Sequence, residues 1–547
     1  MSINATIHTN GTHTADSRIL TFTNPATGQQ FGQVTMTSPD EILAAREQMR
    51  SANTVWSQKP LAERIRILTQ FKGLLIDSVD EISATLNQDA GKTRQDALIE
   101  LFVTVDIMSQ YLKHAPKWLA RERIPKGLYF FRNYYTEQRP YGTVGVIGPW
   151  NYPLVLVLPA MFAALLAGNT VLIKPSEVTA ATGVLIEQLI NRIPDLAPFV
   201  RVLHGDGQVG AGLVASKPDL IFVTGSTTTG KKILHAAAEH LIPVITELGG
   251  KDPLLVLEDA DVEAAAKWGV WGAFFNAGQT CMSVERVYVV EAVYDRFLQA
   301  VIAEAQNFKM GYDTSKQSPY SYGPLTFDRQ LDTINDHLED ALAKGAHVLY
   351  GGRQDNLFME PTILLNVNHS MKIMHEETFG PIMPIMKVKD EAEALALAND
   401  CDFGLGASVW TQDVKRGERL AHKIDSGTVL VNDTISHFAV PLLPFGGIKQ
   451  SGNGRTHGRE DLLQFTQTHA YSIGQPPLAL DIATIMRYPG HYQLGKNLMH
   501  VAFGTSLKQR LAPIRETLED EGTKHKLLAA ATAIGATAVA WRWLTKK

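Results

Sequence analysis

Cys281 lies in Phe274-Phe275-Asn276-Ala277-Gly278-Gln279-Thr280-Cys281-Met282-Ser283, just ahead of the strand-like run Val287-Tyr288-Val289-Val290. A glycine shortly before a thiol lets the backbone come close to a bound group. That suits a nucleophile attacking an electrophilic carbon better than it suits a packing residue. The competing reading is a buried small hydrophobe, the usual fate of a free cysteine. Cys401 is the only other cysteine, so there is no disulfide framework, and no Cys/His spacing of zinc type occurs. No histidine spacing suggests a metal or a triad; His437 reads as a pocket, core or surface residue.

Four other stretches carry groups that would serve a thiol and a nucleotide. In Val244-Ile245-Thr246-Glu247-Leu248-Gly249-Gly250 an acid closes an apolar strand before two glycines. Beside a thiol it suits a general base that activates water, although solvated carboxylates at strand ends are common. Residues 220–223 run into Thr224-Gly225-Ser226-Thr227-Thr228-Thr229-Gly230 and then a helix. Free amides at a helix start, with the helix dipole, favour a phosphate, and Ser226 adds a hydroxyl. A plain strand–turn–helix corner would need glycine too, and the spacing is not G-x-G-x-x-G. Lys174-Pro175-Ser176-Glu177 follows another short strand. The lysine suits a ribose hydroxyl or phosphate; the acid suits the 2′- and 3′-hydroxyls of an adenosine ribose and repels a 2′-phosphate. The competitor is an N1 proline with a helix-starting acid. In His375-Glu376-Glu377-Thr378-Phe379-Gly380-Pro381 an acid suits a second ribose and a ring suits a nicotinamide, or the segment is a charged turn before a core aromatic.

These groups need a scaffold that presents strand ends. From Gly142 the chain alternates short apolar runs (144–147, 170–174, 199–203, 220–223) with helical patterns over 154–166 and from about Thr179. Such alternation predicts a parallel α/β sheet with helices on both faces, whose ligands sit beyond the carboxyl ends of the strands. Asn151, Lys174 and Gly225 each follow one of those runs. A second α/β unit begins near Leu248 and holds Cys281, a helix near 293–308, and strands near Val348 and Leu364, at 382–388 and at 429–431. Residues 444–452 form a loop by composition, and 463–473 are expected as a strand. Upstream, 24–28 is a turn and Asp40 is expected to cap a helix through Met49. Helical periodicity covers 61–86 and 98–118, and 129–138 is an aromatic strand pair suited to an interface.

The 547 residues are 45% hydrophobic and 20% charged, ordinary for a globular chain of two to four structural units. A net charge of −5 and a pI of about 6.4 leave no nucleic-acid footprint. A working thiol fits a reducing compartment. Residues 1–17 read as a disordered polar tail without an apolar signal core, so the sequons at Asn4 and Asn10 carry no weight. Residues 527–541 form an uncharged run flanked by Lys524, Lys526, Arg542, Lys546 and Lys547, shorter than the roughly 20 residues that span a bilayer. Three readings stay open for residues 524–547. They are a membrane-associated tail with Trp541 and Trp543 at the interface, a helix packed on the protein or a partner through Ala531, Gly535 and Val539, or a frayed end.

Taken in order, these pieces closely resemble the NAD(P)-dependent aldehyde dehydrogenase superfamily. The match runs from about Asn24 to Ile473. It rests on Pro149-Trp150-Asn151-Tyr152-Pro153, Lys174-Pro175-Ser176-Glu177, Phe222 through Gly230, Glu247-Leu248-Gly249-Gly250-Lys251, Gly278-Gln279-Thr280-Cys281, Glu377-Thr378-Phe379-Gly380-Pro381 and Pro444-Phe445-Gly446-Gly447. The interval from Glu247 to Cys281 is also family-like. The extension after Ile473, with Arg487-Tyr488-Pro489, more loosely resembles the class-3 branch, which acts on fatty or aromatic aldehydes.

The resemblance implies an α/β fold with a Rossmann-type parallel-sheet cofactor domain (18–127 and 141–247) and an α/β catalytic domain (248–466). Small β strands for oligomerisation (128–140 and 467–474), a C-terminal extension (475–523) and the apolar tail (524–547) complete it. It implies Cys281 as the nucleophile, Asn151 with the Cys281 amide as an oxyanion hole, and Glu247 as the base that hydrolyses a thioester. Lys174 and Glu177 would hold the adenosine ribose, and Gly225, Ser226 and Gly230 the pyrophosphate. Glu377 and Phe379 would hold the nicotinamide side, with Trp150 and Leu248 also against the cofactor. Glu177 points to NAD, with NADP still open. An intracellular homodimer or homotetramer is implied, with membrane contact through residues 524–547 as one reading of the tail. Tyr152, Phe275, Met282, Phe438 and Phe445, with Trp150 and Phe274, would wall an apolar tunnel, and no arginine is placed to clamp a second carboxylate. That favours a medium- or long-chain aliphatic, or an aromatic, aldehyde over a semialdehyde acid. Two competitors are acyl transfer to coenzyme A, against which Glu247 speaks, and a non-enzymatic protein on this fold, against which Cys281, Asn151 and Glu247 together speak.

Overall fold

The computed structural model describes residues 18–126, 132–474, 487 and 490–518. The expected polar tail at 1–17 and the apolar tail at 524–547 lie outside the described residues. The chain divides into two compact units, Met1–Arg121 with Glu137–His469, and Glu122–Thr136 with Ala470–Lys547. Among the described residues no helix is long and apolar enough to cross a membrane.

Two largely parallel sheets build the larger unit. The first has the order Val200–Val202, Thr170–Lys174, Thr143–Ile147, Leu220–Thr224, Val244–Glu247, and every neighbouring pair is parallel. Thr143–Ile147 and Thr170–Lys174 are buried along their whole length. Covered on both faces, they show unbroken apolar runs rather than alternation. Strand order reverses at Thr143–Ile147, which has the next two strands on one side and the last two on the other. At such a reversal the carboxyl ends open a crevice. The ten residues of helix Leu158–Ala167 are all buried against this sheet's core.

The second sheet runs His347–Tyr350, Thr362–Leu365, Ile382–Val388, Val284–Val290, Asp252–Val256, Gly406–Trp410, Thr428–Val431, antiparallel only at its first pair. The two-residue period of its strands divides the core. Leu254, Val256, Val287 and Val289 face one cluster, while Leu255, Tyr288 and Val290 face another. A three-stranded sheet has the order Thr466–Gly474, Arg132–Pro140, Glu122–Ile124, of which residues 470–474, 132–136 and 122–124 belong to the smaller unit. There the Tyr135 ring stacks on Tyr471 at 4.8 Å, and helices His491–Phe503 and Leu507–Leu518 follow.

Several boundaries differ from the sequence expectation. Ser38, not Asp40, caps helix Pro39–Trp56: its hydroxyl accepts from the Glu41 amide, and the Glu41 carboxylate accepts from the Ser38 amide. That reciprocal pair satisfies two otherwise orphaned donors, and Asp40 simply lies in the first turn. The periodic stretch 61–86 is two helices, Leu61–Asp77 and Val79–Ala90, interrupted at Ser78. Residues 154–157 are turns, and their helix begins at Leu158. Leu463 belongs to a helix, Gly458–Gln464, and the strand starts only at Thr466. Buried Asp461 explains this, because its carboxylate accepts from the His457 amide and the Tyr111 hydroxyl and ties down that helix's first turn.

Candidate active site

A groove of about 1040 Å³ follows the carboxyl ends of the first sheet and reaches Cys281. Its thiol end is shaped by unusual backbone. After helix Val262–Phe274, Asn276 (φ 54°), Ala277 (φ 57°) and Gly278 (φ 71°) hold three consecutive left-handed conformations. A Cβ at Gly278 would lie 2.1 Å from the Gly380 carbonyl oxygen, and one at Gly250 would lie 2.2 Å from the Cys281 carbonyl oxygen. Glycine is therefore required where the Cys281 loop meets its two neighbours.

Asn151 is buried, and its Nδ2 donates to the Gln279 carbonyl at 3.0 Å. Gln279 is fixed in turn, since its Oε1 accepts from the Thr326 amide at 2.8 Å and its Nε2 donates to the Asn276 carbonyl at 3.0 Å. An amide nitrogen carries two hydrogens, so Asn151 keeps a second donor at the same end of the groove as Cys281. Trp150 and Phe379 meet edge to face at 5.4 Å there, and Phe327 joins Trp150 at 4.9 Å. Glu377 also lines the groove; its Oε1 accepts from the Gly250 amide at 2.8 Å. Burial, then the Glu285 charge, pushes its carboxyl up to about 8.

The other end is a strand–turn–helix corner. Ser226 caps helix Thr227–Ala238, accepting from the Thr229 amide at 3.2 Å, and it lines the groove with Gly225 and Leu248. A Cβ on Gly225 would meet nothing within 4 Å, so the backbone here faces open groove. Gly230 is placed differently. It is buried in the helix, where a Cβ would lie 2.6 Å from Leu248 Cδ2, so it serves close packing beneath Leu248. Lys174 is buried at its strand end, and its Nζ pairs with Glu177 Oε2 at 2.8 Å.

Glu247 closes strand Val244–Glu247, buried, with both carboxylate oxygens lacking a hydrogen-bond partner. Oε1 occupies the space beside Gly446 and Gly454, where a Cβ would lie 2.9 and 2.7 Å from it. Burial pushes this carboxyl well above the usual range, with Arg455 opposing and Asp461 adding to the shift. The Cys281 thiol is likewise pushed up, first by burial and then by the charges of Glu377, Asp252 and Glu247, against a lowering contact with the Met282 amide. Thiol and acid both favour their protonated forms in this state, and Glu247 is not among the residues that line the groove.

The sequence did not single out the charges beneath this end. Buried Lys251 donates to Glu285 Oε2 at 2.6 Å and to Thr378 Oγ1 at 3.1 Å. Glu285 accepts from the Thr378 amide at 2.7 Å and from the Phe379 amide at 2.8 Å, holding Phe379 in a left-handed conformation (φ 54°). Of the residues expected to wall the tunnel, Tyr152 shares a hydrogen bond with Thr280 Oγ1 at 2.9 Å, and Phe275 and Met282 are half buried; none of these three, nor Phe438 or Phe445, is among the residues that line the groove. Phe438 and Phe445 pack edge to face at 5.0 Å, with His457 4.7 Å from Phe438. His437 is buried against Phe445 at 5.3 Å rather than on the surface. Among the described residues, His369, His375 and Asp400 bring three potential metal ligands within 4.8 Å. His369 already shares hydrogen bonds with Asp400 and with the Tyr288 hydroxyl, both at 2.8 Å, so a cation would have to displace the His369–Asp400 hydrogen bond.

Comparison with known proteins agrees with this geometry. A model of the aldehyde dehydrogenase family matches residues 12–471. The chain is 41% identical over 446 residues to a 4,4'-diapolycopene aldehyde oxidase of Methylomonas, covering 81% of this chain and 83% of that protein. It is 34% identical over 469 residues to a protein of Mycolicibacterium smegmatis provisionally named a succinate-semialdehyde dehydrogenase dependent on NADP, covering 83% and 89%. Among solved structures it resembles an NADP-dependent glyceraldehyde-3-phosphate dehydrogenase from Bacillus halodurans complexed with NADP. That likeness has a TM-score of 0.80 and 30% identity, over 86% of this chain and 100% of the other.

Proposed function

The chain belongs to the aldehyde dehydrogenase family and is an NAD(P)-dependent enzyme that oxidises an aldehyde; from that premise we propose a hydrolytic thiol mechanism acting on medium- or long-chain aliphatic, or aromatic, aldehydes. The observation that carries it is the meeting of Cys281 and Asn151 at one end of a single groove. In this reading Cys281 gives its proton to solvent and its sulfur bonds the aldehyde carbon. The resulting oxyanion accepts from Asn151 Nδ2 and the Cys281 amide, donors worth roughly 2.7–4 kcal/mol each. Bound NAD(P)+ would supply the hydride acceptor that turns the thiohemiacetal on Cys281 into a thioester. Glu247 then takes a proton from water, the water oxygen bonds the acyl carbon as the carbon–sulfur bond breaks, and the sulfur leaves as the thiol with the proton returned from Glu247, releasing the acid. A carboxyl with a raised pKa is the stronger base once it has lost its proton, so Glu247 must ionise before it acts.

The groove fits a dinucleotide. Gly225 opens onto it, the helix beginning at Thr227 presents free amides that suit a pyrophosphate, and Lys174 with Glu177 suits an adenosine ribose. Glu177 favours NAD, because a carboxylate repels a 2′-phosphate. Trp150, Glu377 and Phe379 would hold the nicotinamide side. Leu248 would also touch the cofactor, with Gly230 behind it.

Two features support an apolar substrate. The side chains proposed to wall the substrate tunnel (Tyr152, Phe275, Met282, Phe438, Phe445) are mostly apolar, and Arg455, whose charge acts on Glu247, donates to the Gly447 and Gly454 carbonyls at 2.7 and 2.6 Å. The diapolycopene-aldehyde relative points the same way. A homodimer or homotetramer in the cell interior, assembled through strands near 132–140 and 466–474, and membrane contact through residues 524–547 belong to the same reading. Removing 524–547 should shift the protein from the membrane to the soluble fraction. The decisive screen follows NADH and NADPH over straight-chain and aromatic aldehydes, with succinate semialdehyde alongside and no coenzyme A. Rising kcat/KM with chain length supports the reading; preference for the semialdehyde, or no turnover with any aldehyde, overturns it.

A further inference from the structure

Away from the groove, the turn between helices Val79–Ala90 and Arg94–Trp118 places Lys92 in the core, and the second turn of the latter helix places Glu100 beside it. Lys92 and Glu100 are each 3% exposed, and Lys92 Nζ donates to Glu100 Oε2 at 2.6 Å. Buried ion pairs add little net stability over apolar packing, so stability alone does not account for this one. Its other contacts do. Glu100 Oε1 accepts from the Leu154 amide at 2.9 Å and the Val155 amide at 3.2 Å, the turn directly after Asn151. Lys92 Nζ also sits 3.9 Å from the centre of the Tyr152 ring, a favourable cation–π contact. Asp96 adds a further negative charge facing Lys92.

From Tyr152 the contacts cross to the nucleophile loop through its hydroxyl and Thr280 Oγ1 at 2.9 Å. They return through Gln279 to the Thr326 amide at 2.8 Å, and from Thr326 Oγ1 to the Ala90 carbonyl at 3.1 Å. The route closes where it began, two residues before Lys92. Asn151 joins the same circuit by donating to the Gln279 carbonyl at 3.0 Å. We propose that Lys92 and Glu100 are positioning residues that fix the separation of Asn151 from Cys281, with Tyr152 as the strut between the two loops. This rests on the thiol-and-oxyanion-hole reading above.

Misplacement of a reacting group by about 1 Å costs on the order of 100-fold in rate. The test is single-turnover NADH formation at saturating NAD+, with NAD+ affinity followed by fluorescence titration. Glu100→Ala and Lys92→Met should each slow NADH formation about 10–100-fold, with NAD+ affinity changed less than about twofold. Tyr152→Phe keeps the ring beneath Lys92 and removes only the bond to Thr280; it should slow the step about 3–10-fold. Because the pair acts as one unit, Lys92→Met/Glu100→Gln should be no slower than the slower single variant. If Glu100→Ala does not fold, Glu100→Gln, which keeps an acceptor for both amides, and Tyr152→Phe decide. Folded variants with wild-type single-turnover rates, or a loss of NAD+ affinity as large as the loss of rate, would overturn the proposal. Cys281→Ser run alongside separates the two claims: if it still forms NADH the thiol reading fails, and if it is inactive while the others are normal only the positioning role fails.

Discussion

At the end of the groove proposed for the nucleotide, Ser226 stands exposed on an ordinary strand–turn–helix corner and Glu177 half exposed after strand Thr170–Lys174. At the thiol end, three consecutive left-handed residues precede Cys281, and two ion pairs lie beneath, Lys251–Glu285 and Lys92–Glu100, all but removed from water. The first end presents backbone amides that any sequence with a small residue at the turn would provide. The second holds side chains in place through charges that tolerate no unpaired partner. The difference assigns rigidity to the reacting atoms and tolerance to the bound nucleotide, and it sets how far substitutions at each end should reach.

The largest effect belongs to the buried charges. Glu285→Ala leaves Lys251 unpaired and frees the Thr378 and Phe379 amides, so it should lower unfolding free energy by about 3–5 kcal/mol, measured by urea denaturation. A loss under 1 kcal/mol would erase the distinction between the ends. Asn151→Ala should cost roughly 10²–10³ in kcat with little change in KM for NAD+. At the nucleotide end, Glu177→Ala should raise KM for NAD+ only about fivefold, narrow the gap between NAD+ and NADP+, and leave kcat intact; a kcat loss matching that of Asn151→Ala would contradict the contrast. The smallest effect is a titration. The Glu377 carboxyl, pushed up to about 8, becomes charged above that pH and disfavours a neighbouring thiolate. In the cofactor-free enzyme the alkylation rate of Cys281 should therefore rise with pH at a midpoint above that of an ordinary thiol. Glu377→Gln should move that midpoint down, though not to the ordinary value, because burial is the larger cause. An unmoved midpoint would remove Glu377 from the thiol's surroundings.

This asymmetry also explains what was legible in the sequence. Strands Thr143–Ile147 and Thr170–Lys174 showed themselves because helices cover both faces of their sheet, leaving unbroken apolar runs. Cys281, Glu247 and Ser226 showed themselves because strand ends, glycine pairs and helix starts are local signals. Strand Asp252–Val256 was missed because Pro253 interrupts it, and the helix at Gly458–Gln464 because Leu462 and Leu463 run into strand-like sequence. The cap at Ser38 was legible too, because Ser38-Pro39-Asp40-Glu41 has the capping-box spacing with proline at the first helical position; reading Asp40 as the cap overlooked it. Lys92, Glu100 and Glu285 left no local trace at all. Their meaning lies in contacts 54 to 94 residues away, at Leu154, Val155, Thr378 and Phe379, and a lone charge in a helix or strand looks the same whether solvated or buried. Gly249 and Gly250 read only as a glycine pair after a strand-closing acid, whereas a Cβ at Gly249 would lie 2.4 Å from Glu377 Oε2, so what requires glycine there is the close approach of Glu377.

The most direct test of the central claim is to trap the acyl group. Glu247→Gln keeps the shape of the side chain and removes the base, so mixing this variant with NAD+ and a long-chain aldehyde should give about one NADH per active site and then stall. Peptide mass mapping should find the acyl mass on Cys281. Continued wild-type turnover by Glu247→Gln, or an NADH burst with no acyl group on Cys281, would contradict the account.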